Sequence, residues 1–316
     1  MAREEEIMDL LTKIRDNIAK VIVGKNDVIE MVLAALVCGG HVLIEDVPGV
    51  GKTTLVTALA RSLNCSFQRI QFTPDVLPSD VTGYVSFNIK TGEREVNPGA
   101  VMSQIVLADE INRTSPKTQS SLLEVMQEGQ VTIDGRTYPV PQPFMVLATQ
   151  NPVEQVGTYP LPEAQLDRFL MRIPMGYPDR KQEIEILAKN KGLRPIETVE
   201  PVASGKDILS LREEHGRIIC AEPVMEYIVL ISEATRKDKR IALGVSPRGS
   251  LALMNAAMAH AMLRGRGFTL PDDVQAMVKP VLAHRLVLNA KSNLTGEAPE
   301  SILDEIIRSI RVPAVT

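Results

Sequence analysis

The stretch Glu45-Asp-Val-Pro-Gly-Val-Gly-Lys-Thr53 decides how the rest of the chain reads. It follows the apolar run His41-Val-Leu-Ile-Glu45 and precedes a helix predicted over 55–63. In a P-loop the chain turns between a strand and a helix so that backbone N–H groups ring a phosphate and the helix N-terminus points at it. Pro48, Gly49, Val50 and Gly51 make that turn here, and the two glycines admit a close approach that a Cβ would block. Lys52 is placed to reach the β- and γ-phosphates as a point charge, and Thr53, with Thr54 beside it, to hold Mg²⁺ through its hydroxyl. The first glycine of the usual pattern is Asp46, a departure at one position.

Working outward, Ser103-Gln-Ile-Val-Leu-Ala108 and Phe144-Met-Val-Leu-Ala148 are further apolar runs separated by helical stretches. Continuous rather than alternating strands predict an α/β fold with a mostly parallel sheet buried on both faces by helices. The run Ile105-Val-Leu-Ala-Asp109-Glu110 ends in an acidic pair. Asp109 suits a Mg²⁺ held through its water shell, and Glu110 suits the polarisation of an attacking water. Two β-hairpins are inserted into this pattern: Tyr84 to Ile89 with Glu93 to Val96, and Gln130 to Ile133 with Arg136 to Tyr138. The second closes on Asp134-Gly135, a strong tight-turn signal. Past Gly176-Tyr-Pro-Asp179 the strands stop, and helices are predicted over 183–191, 223–236, 250–264, 272–286 and 301–311. The expected division is a nucleotide-binding core at 1–178, a linker at 179–200 and an all-α lid at 201–316.

The 316 residues allow two domains, and 44% hydrophobic with 23% charged residues excludes wholesale disorder. A net charge of −4 with six Phe, five Tyr and no Trp disfavours a protein that stacks nucleic-acid bases in a basic groove. Residues 201–316 hold 15 Lys+Arg against 13 Asp+Glu, and their one basic cluster, Arg236-Lys-Asp-Lys-Arg240, reads as a solvated helix end. Cys38, Cys65 and Cys220 are scattered, which argues against a disulfide framework or a zinc site. The acidic N-terminus and an apolar run, Met31 to Ile44, broken by Gly39-Gly40-His41, predict a soluble, cytoplasmic chain.

Three more motifs follow in the order found in AAA+ ATPases. Ala148-Thr-Gln-Asn151 resembles sensor 1, in which a polar residue, here Asn151, positions the attacking water. Leu161-Pro-Glu-Ala-Gln-Leu-Asp-Arg168-Phe resembles the segment whose arginine, Arg168, reaches a neighbour's ATP. Ser246-Pro-Arg248 resembles sensor 2: Ser246 is a good N-cap, Pro247 suits the first helical position, and Arg248 emerges at the helix start. Val21-Ile-Val-Gly24-Lys resembles the segment that lines the adenine, through Val23 and Gly24. A guanine-specific Asn-Lys-x-Asp is missing, since Asn190-Lys-Gly-Leu193 lacks the Asp.

The closer wording, Asp109-Glu-Ile-Asn-Arg113, Ser115-Pro-Lys-Thr-Gln119, Thr149-Gln-Asn-Pro152 and Leu161 to Phe169, resembles the MoxR family of AAA+ proteins over essentially the whole chain. The resemblance implies an ATPase that uses ATP and Mg²⁺ and works as a homo-oligomer, a hexameric ring. It implies chaperone-like remodelling, maturation or metal insertion on a protein client, with a von Willebrand factor A domain partner. It also makes the two hairpins the clade's helix-2 insert and pre-sensor-1 hairpin, and Arg113 a second inter-subunit arginine. ATP is then expected between core and lid, with Arg248 coupling its γ-phosphate to lid position. The alternatives are an AAA+ nucleic-acid motor and a small-molecule P-loop kinase, the latter having no use for a sensor 2 lid.

Overall fold

The computed structural model describes residues 2–45, 49–88, 90, 92–151, 157–189 and 195–313. Helices α1 (Ala2–Ala19) and α2 (Asn26–Val37) lead into β1 (Val42–Glu45), α3 (Lys52–Ser62), β2 (Phe67–Gln71) and the short α4 (Pro78–Thr82). The hairpin β3 (Gly83–Phe87) and β4 (Arg94–Pro98) comes next, then β5 (Ile105–Asp109) and α5 (Pro116–Glu128). A second hairpin, β6 (Gln130–Ile133) and β7 (Arg136–Pro139), precedes β8 (Met145–Gln150), α6 (Glu163–Leu166) and β9 (Met171–Pro174). The remainder is α7 (Arg180–Lys189), α8 (Gly205–His215), α9 (Glu222–Lys237), β10 (Ile241–Leu243), α10 (Pro247–Leu263), α11 (Pro271–Leu282), β11 (Val287–Leu288), α12 (Ala290–Thr295) and α13 (Pro299–Ser309).

Five strands form one parallel sheet in the order β2-β5-β8-β1-β9. Its faces are buried by different clusters: Val42, Ile44, Ile105 and Leu107 point to one, Leu43, Val106 and Ala108 to the other. That period-2 split explains why the central strands read as unbroken apolar runs. Edge strands β2 and β9 go beyond the three expected strands. Phe67-Gln-Arg-Ile-Gln71 hides because an edge strand leaves polar side chains exposed. The lid also corrects the all-α expectation, since β10 pairs antiparallel with β11 there. The helix expected over 272–286 ends at Leu282 and tightens into a 3₁₀ turn, Ala283–Arg285.

Both hairpins form. Asp134 and Gly135 take φ of +49° and +76°, the left-handed pair that a two-residue turn of matching twist requires. Ile89 and Thr91, at the tip of the first hairpin, lie outside the described residues. At its base a Cβ on Gly99 would come within 2.2 Å of the Val81 carbonyl oxygen, so only glycine fits.

Helices α10 and α11 lie against α2 and β9. The alanines 256, 257 and 259 let α10 approach closely, and one apolar cluster runs from Ile14 through Val32 and Met171 to Val278 and Ile302. Among the described residues no helix is long and apolar enough to cross a membrane.

Candidate functional site

At the C-terminal end of β1 the chain enters the loop through Asp46, Val47 and Pro48, which lie outside the described residues. Gly49 and Gly51 then take φ of +88° and +95°, a region that only glycine enters freely. A Cβ on Gly49 would meet no described atom within 4 Å, so the backbone angle, not crowding by protein, demands glycine there. Gly51 is the N-cap of α3, and no side chain caps it and no acid stands in the first turn. The N-terminus of α3 therefore presents its dipole to an anion without a side-chain cap in the way.

That N-terminus faces the acidic end of β5 across a cleft of about 380 Å³ lined by Lys52, Thr53, Thr54, Asp109, Glu110, Thr149 and Asn151. Thr149 organises the far wall. Its hydroxyl donates to Asp109 Oδ1 at 2.6 Å and accepts the Glu110 N–H at 2.9 Å. Glu110 sits in the left-handed region at φ +57°, so β5 ends in a sharp bend at this acid. Its Oε2 accepts from Gln71 Nε2 at 2.8 Å and pairs with Arg113 Nε at 3.3 Å. Arg113 is thus an ion-pair partner within its own chain. Asp109 Oδ2 is held by Arg69, with Nη2 at 2.6 Å and Nε at 3.2 Å.

Arg69, Gln71 and Thr149 are functional neighbours that motif reading passed over. Thr149 stood inside the quoted sensor motif and was given no role. The polar positions of β2 carried a weak signal, but their partners become visible only once β2 pairs with β5 in register, Gln71 opposite Asp109.

A second cavity of about 540 Å³ adjoins the loop and is lined by Val21, Ile22, Val23, Lys25, Val50, Met175, Tyr177 and Ile186 among others. Gly24 turns beside it at φ +68°, its carbonyl accepting from Gln182 Nε2 at 3.3 Å. Apolar walls with a few backbone polar groups suit a planar heterocycle. The expectation that the lid would close over this site is corrected: the described lining residues of both cavities come from the core and from 175–196, not from 201–316. The lid helices are committed to α2 and β9 instead.

The two remaining arginines lie elsewhere. Strands β1 and β9 are parallel with Val42 opposite Met171, and the Leu170 N–H donates to the His41 carbonyl at 2.8 Å. Arg168 therefore sits near the start of β1, one strand length, about 13 Å, from the end that carries the phosphate loop. Ser246 does cap α10, accepting the Gly249 N–H at 3.2 Å. Arg248, however, lines neither cavity; its Nε is 3.8 Å from Asp167, the residue before Arg168.

Thr53 and Asp109 offer one hydroxyl and one carboxylate in the same cleft, a donor set that fits Mg²⁺, which keeps most of its shell for waters and phosphate oxygens.

A family model described as "ATPase family associated with various cellular activities (AAA)" matches residues 41–171, and an AAA lid domain model matches 233–306. Protein YeaC of Bacillus subtilis is 52% identical over 99% of this chain and 98% of its own. Chaperone MoxR1 of Mycobacterium tuberculosis is 41% identical over 94% of this chain and 81% of its own. The crystal structure of an ATPase candidate from Cytophaga hutchinsonii has a TM-score of 0.92 at 38% identity, covering 99% of this chain and 98% of that one.

Proposed function

This chain belongs to the MoxR family of AAA+ ATPases, and on that premise we propose that it is an ATP-driven, chaperone-like motor that remodels or matures a protein client. The observation that carries the proposal is the convergence of Lys52, Thr53, Asp109, Glu110 and Asn151 on one cleft at the uncapped start of α3. In this reading 1–178 is the motor core, 179–200 a linker whose α7 walls the base cavity, and 201–316 the lid.

The adenine lies in the 540 Å³ cavity beside Val23 and Gly24. Its phosphates follow residues 49–51 to the helix start, where N–H groups and Lys52 offset their charge. Thr53 and Asp109 would hold Mg²⁺, which would supply neutralisation of charge on the phosphate oxygens. Glu110 and Asn151 orient a water for in-line attack on the γ-phosphorus; the bond to the ADP oxygen breaks, and Glu110 takes up the water's proton through its hydrogen bond.

Arg168 lies at the opposite end of the strands and Arg248 reaches the residue before it, Asp167, so we assign both to the nucleotide of an adjacent subunit. Arginine fingers contribute about 10³–10⁵ in rate in related P-loop enzymes. A ring, a hexamer by family resemblance, is thus part of the mechanism. The client side is reached through a partner with a von Willebrand factor A domain, as the same resemblance implies. The nucleic-acid alternative gains nothing from the basic cluster: Lys237 pairs with Glu233 at 2.7 Å, and Arg240 with Asp238 and Glu305 at 2.8 and 2.6 Å.

The test is Glu110→Gln. ATP affinity stays within about twofold while turnover falls by on the order of 10²-fold or more. The variant held in ATP should retain a client in pull-downs. Undiminished hydrolysis would remove Glu110 from the mechanism.

A further inference from the structure

Asp167 precedes Arg168 directly, and two lid arginines converge on its carboxylate. Oδ1 accepts from Arg285 Nε at 2.7 Å, and Oδ2 lies 3.8 Å from Arg248 Nε. Arg285 is only 4% exposed, and its fork is shared between the main chain of 167–170 and, through Nη1, the Val281 carbonyl and, at 2.7 Å, the His284 ring. Its Nη2 donates to the carbonyls of Asp167 and Phe169 at 3.3 and 2.7 Å, and Nη1 to that of Leu170 at 3.2 Å. A planar guanidinium with five donors thereby fastens segment 167–170 to the lid and fixes where the Asp167 carboxylate stands. Arg248 differs in kind. It is 53% exposed, and its contact with Asp167 is an ion pair looser than a hydrogen bond, one that a phosphate can displace.

We propose that Asp167 is a positioning residue: anchored by Arg285, it holds the Arg248 guanidinium beside Arg168, so that both arginines are presented together to the neighbour's nucleotide. The proposal rests on the reading of Arg168 and Arg248 as acting on an adjacent subunit. The physical gain is preorganisation. A long arginine loses rotamer freedom when it meets a phosphate, and a fixed carboxylate removes part of that loss beforehand.

A double-mutant cycle in the assembled full-length protein tests this. Asp167→Asn should lower kcat by about 3- to 10-fold with KM for ATP changed less than about twofold. In an Arg248→Ala background the same change should cost nothing further, because Asp167 acts through Arg248. Nucleotide-analogue affinity of Asp167→Asn should match the parent, although its melting temperature falls because the buried Arg285 loses its charged partner; a merely structural role would instead give the same proportional loss of kcat with and without Arg248. Losses that multiply in the double variant would overturn the proposal. Should Asp167→Asn fail to fold, the cycle is run with Asp167→Glu, which keeps an anion for Arg285 but shifts it by one methylene from Arg248; the same non-additivity is expected. Mixing Arg248→Ala with Glu110→Gln subunits separates the two levels. No regained activity would defeat the adjacent-subunit reading, whereas regained activity with multiplying losses would defeat the role of Asp167 alone.

Discussion

A single hydroxyl, that of Thr149, fixes the side chain of Asp109 and the backbone of Glu110. The acids were legible in the sequence because an apolar strand ending in Asp-Glu after a phosphate loop is a chemical pattern. Arg69 and Gln71 were not, because cross-strand partners depend on which strands lie side by side. His41 shows the same limit. It reads as a scattered histidine, yet its Nε2 donates to the Met126 carbonyl at 3.0 Å and its Nδ1 accepts the Val146 N–H at 2.9 Å. Burial pushes its imidazole down to about 4, with Arg212 adding to the effect. The unfolded chain therefore binds a proton first as pH falls. The stability tied to neutral His41 is complete above about 6.5 and is lost between there and about 4, roughly 3 kcal/mol over the whole window. Melting temperature should fall from pH 7.5 to 5 while the His41 ring signals stay those of a neutral imidazole; titration of that ring near its ordinary value would contradict the assignment.

Among the elements, those whose pattern is set by burial on two faces, β1, β5 and β8, were legible, as were α9, α10, α11 and α13 and the Asp134-Gly135 hairpin, whereas α8 and α12 were not. Edge strands and the three- and two-residue strands β10 and β11 carry too little apolar periodicity to be read. The two inserted hairpins are tied to each other by Arg94 and Asp134 at 2.7 Å, with Arg94 5.4 Å above the Phe87 ring centroid. In the lid a buried carboxylate joins three elements. Asp273 accepts the Leu270 N–H at 2.7 Å, His260 Nδ1 at 2.6 Å, and the Arg266 fork at 2.8 and 2.7 Å. Burial opposes its charge, but these bonds outweigh it and hold the carboxyl down at about 2. Asp273→Ala leaves Arg266 and His260 without that partner and should destabilise the protein by about 3 kcal/mol or more in denaturant unfolding. Lys237→Ala, which breaks an exposed pair, should change stability by less than about 0.5 kcal/mol. A loss at Asp273 no larger than that at Lys237 would show that the clasp carries no stability.

At the scale of the whole molecule, motif order disclosed the family and the components of the site, but not where the lid sits. Ser246-Pro-Arg248 announces a helix start without saying which surface receives it. That depends on α10 and α11 burying their apolar faces on α2 and β9, a sum over many side chains that no single motif encodes. The consequence is functional. With the lid on that side, Arg248 meets Asp167, the residue before Arg168, and the proposed catalytic cleft lies at the other end of the sheet. On the proposed reading such a chain is complete only beside a second copy. The direct measurement is ATP hydrolysis by mixtures of two inactive variants, Arg168→Ala, which keeps Glu110, and Glu110→Gln, which keeps the finger. Activity that returns on mixing, with a maximum at intermediate ratios, is the predicted result. Silence at every ratio, with both variants shown to co-assemble, would contradict a site shared between subunits.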